Sequence, residues 1–423
     1  MGTSTADQRL SQIQTIVDKA KNAQVAHLYS EDESFNGRHI TLNGQRMVNF
    51  ASCNYLGLAL DRRVIQGAKE GVDRYGTSFP TSRSFVSMGY LSELEDELEK
   101  LFGYPCLVTS TTSLGHIAWL PLLVNSNDAV ILDHQVHNSV ETATQLLIAK
   151  GAHIEVVRHN NMEKLENRII TLSEQYDHIW YMADGVYSMY GDKAPIKKIV
   201  NLLNKYPQLY AYIDDAHGMS WTGERGVGHV LKETQLHERM ALITSLGKSF
   251  GSLGGAMVFP SQAKKDHVKE CGGPLIFSSP LPASVIGASI ASAQIHMSDE
   301  LLQLQNNLLK RMACFKEHAH RLGLPIVGEA DTPIFFIPVG NPDSAFAIGQ
   351  KMMGHGFYQS LSVFPSVPMN NSGLRYTMTN WIEEEDIVRM LTLLAEERTK
   401  NLEQQGLCQD KVLASFKGVS FAV

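Results

Sequence analysis

Short apolar runs and longer amphipathic stretches alternate through the middle of the chain. The apolar runs fall at 106–108, 129–132, 154–157, 179–183, 209–213, 241–244 and 256–259. Most are separated by helical patterns such as SVETATQLLIAK and IKKIVNLLNKY. Strand–helix alternation of this kind predicts an α/β fold: a mostly parallel sheet of seven strands, covered on both faces. Polar residues gather just after the runs, among them Asp133, Asp184, Asp214, Asp215 and Ser245. Those positions are the carboxyl ends of strands, where open α/β sheets bind their ligands.

The flanks carry other patterns. Residues 8–30 read as an amphipathic helix with Leu10, Ile13, Ile16 and Val17 on one side. Residues 38–50 read as a hairpin turning at Asn43-Gly44. A long helical stretch is predicted over about 284–322. Beyond it, TPIFFIPVG, a helix to about 355, FYQSLSVF, GLRYTMTN and the helix IEEEDIVRMLTLLAEE predict a smaller α+β domain. The expected divisions are an N-terminal helix and hairpin segment (1–58), a large domain (59–285), a small C-terminal domain (286–400) and a tail (401–423). The tail, VLASFKGVSFAV, is apolar enough to dock on the body or on a partner.

Composition narrows the function classes. The 423 residues are 43% hydrophobic and 19% charged, with a net charge of -7. That suits a globular chain with a substantial core. No Lys/Arg-rich block marks a nucleic-acid partner. No apolar run has membrane-spanning length, and the N-terminus has no apolar signal core, so a cytoplasmic location is expected. Five scattered cysteines without a CxxC spacing indicate neither disulfides nor a zinc site. His318 and His320 stand two apart and would not share a helix face, so no metal site is expected there.

Candidate chemistry begins at TSLGKSFGSLGG, residues 244–255. Lys248 sits just beyond a strand among glycines and hydroxyls, which permit close backbone approach and can donate to phosphate oxygens. The segment is not a nucleotide-binding GxxxxGK[ST] loop, because Leu242 occupies the first glycine position. Upstream, LYAYIDDAHG ends a strand at Asp214, with His217 three residues on. A carboxylate there can pair with a pyridinium nitrogen and keep it protonated. Each segment also has a plain reading: a surface lysine, a helix cap, a structural histidine. In DGVYSMYGDKAP, Ser188 follows a strand end, and STTSLGHIAW places hydroxyls before a helix whose free amides suit phosphate.

Together these segments resemble the α-oxoamine synthase family of fold-type I pyridoxal-phosphate enzymes. The resemblance runs over roughly 45–390, in family order. CNYLGL resembles NDYLGL, GTSFPTSRSF the GSR segment, and RHNNMEKLE the HND…LE segment. DGVYSMYGDKAPI is similar to EGVFSMDGDxAPL, and IDDAHGMSWTGERGVG to VDDAHGxGxxGxxGRG. LGKSFGSLGG matches the lysine motif and GLRYTMT an RLSLT-like segment. The resemblance implies pyridoxal 5′-phosphate held by Lys248 as a Schiff base, with Lys248 also moving the Cα proton. It implies Asp214 at the pyridine nitrogen, His217 and Ser188 at the phenolic oxygen, and His137 on the ring face. Thr112, Ser113, Ser245 and, across a homodimer interface, Ser279 would serve the phosphate. Arg375 would grip the amino-acid carboxylate; Cys53 and Asn54 stand in the substrate region. The implied reaction condenses an amino acid with an acyl-CoA or acyl-carrier-protein thioester, with loss of carbon dioxide, to an α-aminoketone.

Several positions depart from the family pattern. Cys53 and Asn54 replace Asn and Asp, Thr112 replaces a glycine, and His116 replaces an asparagine. Ser78 and Thr81 replace glycines, while Leu91 and Ile382 stand where histidines are common. The changes spare the cofactor set and touch the substrate region, which points to a specialised lipid, signal or secondary-metabolite product. The alternatives are another fold-type I activity, such as an aminotransferase, and a non-catalytic subunit of a synthase complex.

Overall fold

The computed structural model describes residues 5–417 and 419–422. It divides into two compact units. One comprises Leu56–Tyr187 and Lys193–Gln305; the other comprises the chain up to Tyr55, Ser188–Asp192 and Asn306 onward.

The first unit is built on a seven-stranded sheet. Its strands are β1 (Cys106–Thr109), β2 (Ala129–Asp133), β3 (His153–Val157), β4 (Ile179–Asp184), β5 (Leu209–Asp214), β6 (Met240–Ser245) and β7 (Gly255–Val258). All seven coincide with the apolar runs of the sequence. Their order is β1-β7-β6-β5-β4-β2-β3, parallel except for β7, which runs against both of its neighbours. Alternate residues feed two separate cores. Ile131, Tyr181, Ala211 and Leu242 pack on one face against the helices Gly89–Phe102, Met162–Leu172, Ile196–Lys205 and Ala283–His296. Val130, Met182, Tyr212 and Ile243 pack on the other with the helices Thr112–Leu123 and Asn138–Ala149. Burial on both faces is why these strands read as continuous apolar runs.

The second unit holds the hairpin His39–Leu42/Gln45–Asn49, whose turn residues Asn43 and Gly44 both have positive φ. It also holds a three-stranded antiparallel sheet in which Ser372–Thr377 lies between Ile334–Gly340 and Ser360–Ser362. The tail docks on its own chain. Phe421–Ala422 pairs with Ile326–Val327, and Val412 and Phe416 are buried against Tyr190, Val327 and Phe336.

Two expectations need correction and one is refined. The first helix ends at Asn22 rather than at 30, and Leu10 lies outside its buried face, which is formed by Ile16 and Ala20. The helical stretch expected over about 284–322 is present as two helices, Ala283–His296 and Glu300–Arg321, separated by a turn. FYQSLSVF is not one strand: Phe357–Tyr358 joins the hairpin sheet, while Ser360–Ser362 joins the other. Among the described residues no helix is long and apolar enough to cross a membrane, and no group of three or more His, Cys, Asp or Glu is arranged to hold a metal ion.

Candidate active site

A cavity of about 280 Å³ opens in the first unit beside the carboxyl ends of β4, β5 and β6. That is close to the lower bound of roughly 300 Å³ for small-molecule sites. Eight residues singled out from the sequence line it: Thr112, Ser113, His137, Asp184, Asp214, His217, Ser245 and Lys248. They are up to 136 positions apart in the chain (248 − 112) and meet only because the parallel strands end together.

One wall is the N-terminus of the helix Thr112–Leu123. Thr111 caps it, its side chain accepting from the Leu114 N–H at 3.0 Å. The first-turn amides at Thr112 and Ser113 have no intrahelical partner and face an anion-favouring dipole. Gly115 lets this helix lie tightly on β6, since a Cβ there would collide with Ile243. Gly255 likewise lets β7 run beside the backbone of Thr112. Ser245 ends β6, its Oγ accepting the Gly247 N–H at 3.1 Å, and Lys248 follows three residues later.

Asp214 also lines the cavity, almost fully buried at the end of β5. Its Oδ1 accepts the Ala216 N–H at 3.0 Å, and its Oδ2 lies 3.1 Å from His116 Nε2. Burial alone would raise its pKa. His116, Lys248 and His137 outweigh that and hold the carboxyl below its usual value. Asp184, paired in register on β4, goes the other way: burial and the Asp214 charge push it well up. Asp184 Oδ1 accepts the His137 N–H at 2.9 Å and so fixes the start of the helix Asn138–Ala149. The His137 ring is held by Ser139, whose Oγ lies 2.6 Å from Nδ1. Desolvation by the pocket walls, then the Lys248 charge, lower the His137 pKa against the pull of Asp214, favouring an uncharged ring.

The turn after β5 is anchored by Asp215, which the sequence reading left as a bare strand-end acid. Its buried carboxyl accepts the Val230 N–H at 3.0 Å. Gly185, Gly218 and Gly228 enclose it, and a Cβ on any of them would collide with it. Burial, with the Asp214 charge adding, pushes its pKa up to about 8. Asp133 has no part in the cavity; its carboxylate accepts the Gln135 and Asn160 N–H groups and binds His159 and Tyr181.

The remaining predicted residues lie elsewhere. Ser279 lines a second, smaller cavity of the same unit, with Arg83, Ser110 and Leu281. Ser188, Cys53, Asn54 and Arg375 belong to the other unit. There, the buried Arg375 donates from Nε to the Ser188 carbonyl at 2.6 Å and reaches Cys53 Sγ at 3.9 Å. Among the described residues no carboxylate pairs with it. Sequence reasoning did not single out Thr111, Ser139 or Val186 as lining the cavity. A hydroxyl at the N-cap position was the available signal for Thr111.

The donor set fits pyridoxal phosphate. Helix amides and hydroxyls suited to a phosphate line the cavity together with a buried carboxylate suited to a protonated ring nitrogen, a lysine and two histidines.

Comparison with known proteins agrees. The family model for aminotransferase class I and II matches residues 45–387. The 8-amino-7-oxononanoate synthase of Alkaliphilus metalliredigens is 30% identical over 376 residues, covering 88% of this chain and 93% of that enzyme. That of Maricaulis maris is 31% identical over 368 residues, covering 86% and 90%. A serine palmitoyltransferase variant from S. paucimobilis, solved with a bound PLP–myriocin aldimine, superposes with a TM-score of 0.85 at 22% identity, covering 93% of this chain and 98% of that one. The chain belongs to the aminotransferase class I and II family and, within it, to the α-oxoamine synthases, pyridoxal-phosphate-dependent acyltransferases.

Proposed function

We propose that the cavity around Lys248 condenses an amino acid with an acyl thioester. The products are an α-aminoketone, carbon dioxide and the free thiol. The carrying observation is that Lys248 and the buried, ionised Asp214 line one cavity with the amino end of the helix Thr112–Leu123. Bound pyridoxal phosphate supplies an electron sink for the negative charge that develops at the amino-acid Cα.

The chain's own groups do the rest. Lys248 holds the cofactor through its Nζ and, once displaced by the amino acid, takes the Cα proton. Asp214 keeps the ring nitrogen protonated, and His217 and Ser188 serve the phenolic oxygen. His137 covers the ring face, which its uncharged state suits. Thr112, Ser113 and Ser245 hold the phosphate. Arg375 binds the amino-acid carboxylate, supported by its burial without an acidic partner among the described residues. Cys53, against Arg375, and the adjacent Asn54 border the substrate.

A second copy of the chain is the proposed partner. Phe277 and Phe85 are 88% and 87% exposed, and Ser82 Oγ ties their loops together by donating to the Ile276 carbonyl at 2.9 Å. Large exposed aromatics beside the predicted phosphate residue Ser279 support a homodimer interface there. With five free cysteines, the protein is assigned to the cytoplasm.

The test combines cofactor capture with product chemistry. Borohydride should fix pyridoxal phosphate to the Lys248 peptide, and Lys248→Ala should abolish the attachment. Amino acids are then screened with acyl-CoA and acyl-carrier-protein thioesters. Thiol release together with carbon dioxide supports the reading; amino-group transfer to a keto acid without thiol release overturns it.

A further inference from the structure

His116 replaces the family's asparagine at a fully buried position. It sits on the helix Thr112–Leu123, one residue after the glycine that brings this helix onto β6. Its ring spans two residues of β5. Nδ1 lies 2.7 Å from the Tyr212 hydroxyl, and Nε2 lies 3.1 Å from Asp214 Oδ2. Tyr212 and Asp214 are two apart on a strand and therefore share one face of the sheet.

We propose that His116 is a positioning residue for the cofactor: buried between Tyr212 and Asp214, it fixes the carboxylate assigned to the pyridine nitrogen. The inference rests on the function proposed above.

Asp214 has two tethers to the protein. Oδ1 is held by the Ala216 N–H, and Oδ2 has His116 beside it. A carboxylate only accepts, so the hydrogen facing it must sit on Nε2. That nitrogen is buried, and no other group among the described residues is placed to receive its proton. Nε2 and Oδ2 lie 3.1 Å apart, within hydrogen-bonding distance but without an aligned N–H in this structure. Nδ1 is satisfied by a hydroxyl that can donate or accept. Aromatic packing holds the ring. Tyr212 meets it edge-on at 5.7 Å, and Trp119 buttresses Tyr212 at 5.6 Å and Phe259 at 4.6 Å. The other charged or titratable groups acting on Asp214 are Asp184 on β4, Asp215 next along the chain, Lys248 after β6 and His137 before its helix.

The experiment titrates apo-protein with pyridoxal phosphate, recording affinity and the absorption bands of the bound cofactor, with apo-protein Tm as the control for folding. His116→Phe keeps the ring and removes both nitrogens. It should weaken binding about 10- to 100-fold, the order of a lost polar contact to a charged group, and shift the absorption bands. His116→Asn restores a donor and should recover affinity to within about threefold. Tyr212→Phe should act in the direction of His116→Phe, but less strongly. Wild-type affinity and spectrum in both His116→Phe and Tyr212→Phe would overturn the inference alone. A loss shared by His116→Phe and His116→Asn, with a collapsed Tm in both, would reduce His116 to packing and overturn it equally. A wild-type chain that takes up no pyridoxal phosphate would overturn this inference together with the function beneath it.

Discussion

Asp184 and Asp214 end adjacent parallel strands in register, and their environments drive their carboxyls in opposite directions. Burial and the neighbouring charge force Asp184 toward the neutral form. His116, Lys248 and His137 keep Asp214 ionised despite its burial. Two buried carboxylates at this spacing cannot both carry charge cheaply. The pair therefore divides the work: one charge for the cofactor ring, one neutral group for the backbone of His137.

That division predicts unequal substitutions. Asp184→Asn keeps an oxygen for the His137 N–H and resembles the protonated acid, so cofactor affinity should stay within about threefold of wild type. Asp214→Asn removes the only charge assigned to the ring nitrogen, and turnover should fall on the order of 100-fold. Steady-state thiol release and cofactor titration measure both. Equal losses in the two variants would contradict the assignment.

Arg375 gives a prediction about substrate rather than cofactor. Arg375→Lys keeps the charge but loses the planar fork that binds a carboxylate through two parallel hydrogen bonds. The KM for the amino acid should rise about 10- to 100-fold. The KM for the thioester and the affinity for pyridoxal phosphate should not change. A variant altered mainly in thioester KM would move Arg375 to the other substrate.

The sheet was legible from the sequence because its strands are buried on both faces, so each reads as an uninterrupted apolar run. Lys248, Asp214 and Ser245 were legible because they follow such runs. The departures have local causes. Ala283–His296 and Glu300–Arg321 both have strong helical patterns, and only a three-residue turn, 297–299, separates them. Phe357–Tyr358 and Ser360–Ser362 look continuous, because nothing in the side-chain pattern records that the chain changes sheets at Gln359. The anchoring role of Asp215 was hidden for a further reason. Its glycine cradle comes from 185, 218 and 228, which are separate in sequence and meet only in the fold.

Asp215 makes a prediction about pH. In the unfolded chain an aspartate titrates near 3.9, and in the fold burial moves Asp215 up to about 8. The folded state therefore retains a proton that the unfolded state has released. The stability this contributes is fully present below about pH 4, declines between about pH 4 and 8, and is gone above. The slope is at most about 1.4 kcal/mol per pH unit. Asp215→Asn has the same shape and cannot ionise. Its Tm relative to wild type should rise steadily from pH 5 to pH 8, and a constant difference across that range would refute the buried, protonated state.

The edge of the sheet supplies the last prediction. β1 is an edge strand, and its outward N–H groups would otherwise invite another chain. The helix Gly89–Phe102 covers them with two carboxylates one turn apart. Glu99 Oε1 accepts the Cys106 N–H at 3.0 Å, and Glu95 Oε1 accepts the Val108 N–H at 3.1 Å. Each charge is paired. Glu95 binds Arg83 at 2.9 Å, and Glu99 binds Lys265 at 2.7 Å. Glu95→Ala strips the Val108 N–H of its acceptor and leaves the buried Arg83 guanidinium without its counter-charge. Breaking a buried pair in this way costs about 3–5 kcal/mol. Glu95→Gln keeps an acceptor and should lose less. Because the residual charge causes most of the damage, removing Arg83 as well, in Arg83→Gln/Glu95→Gln, should recover stability relative to Glu95→Gln alone. Denaturant unfolding gives the order, and light scattering on Glu95→Ala should show association through the uncovered edge. If the double variant is less stable than Glu95→Gln by the full cost of Arg83→Gln alone, the two side chains are not coupled, and the edge is protected by packing instead.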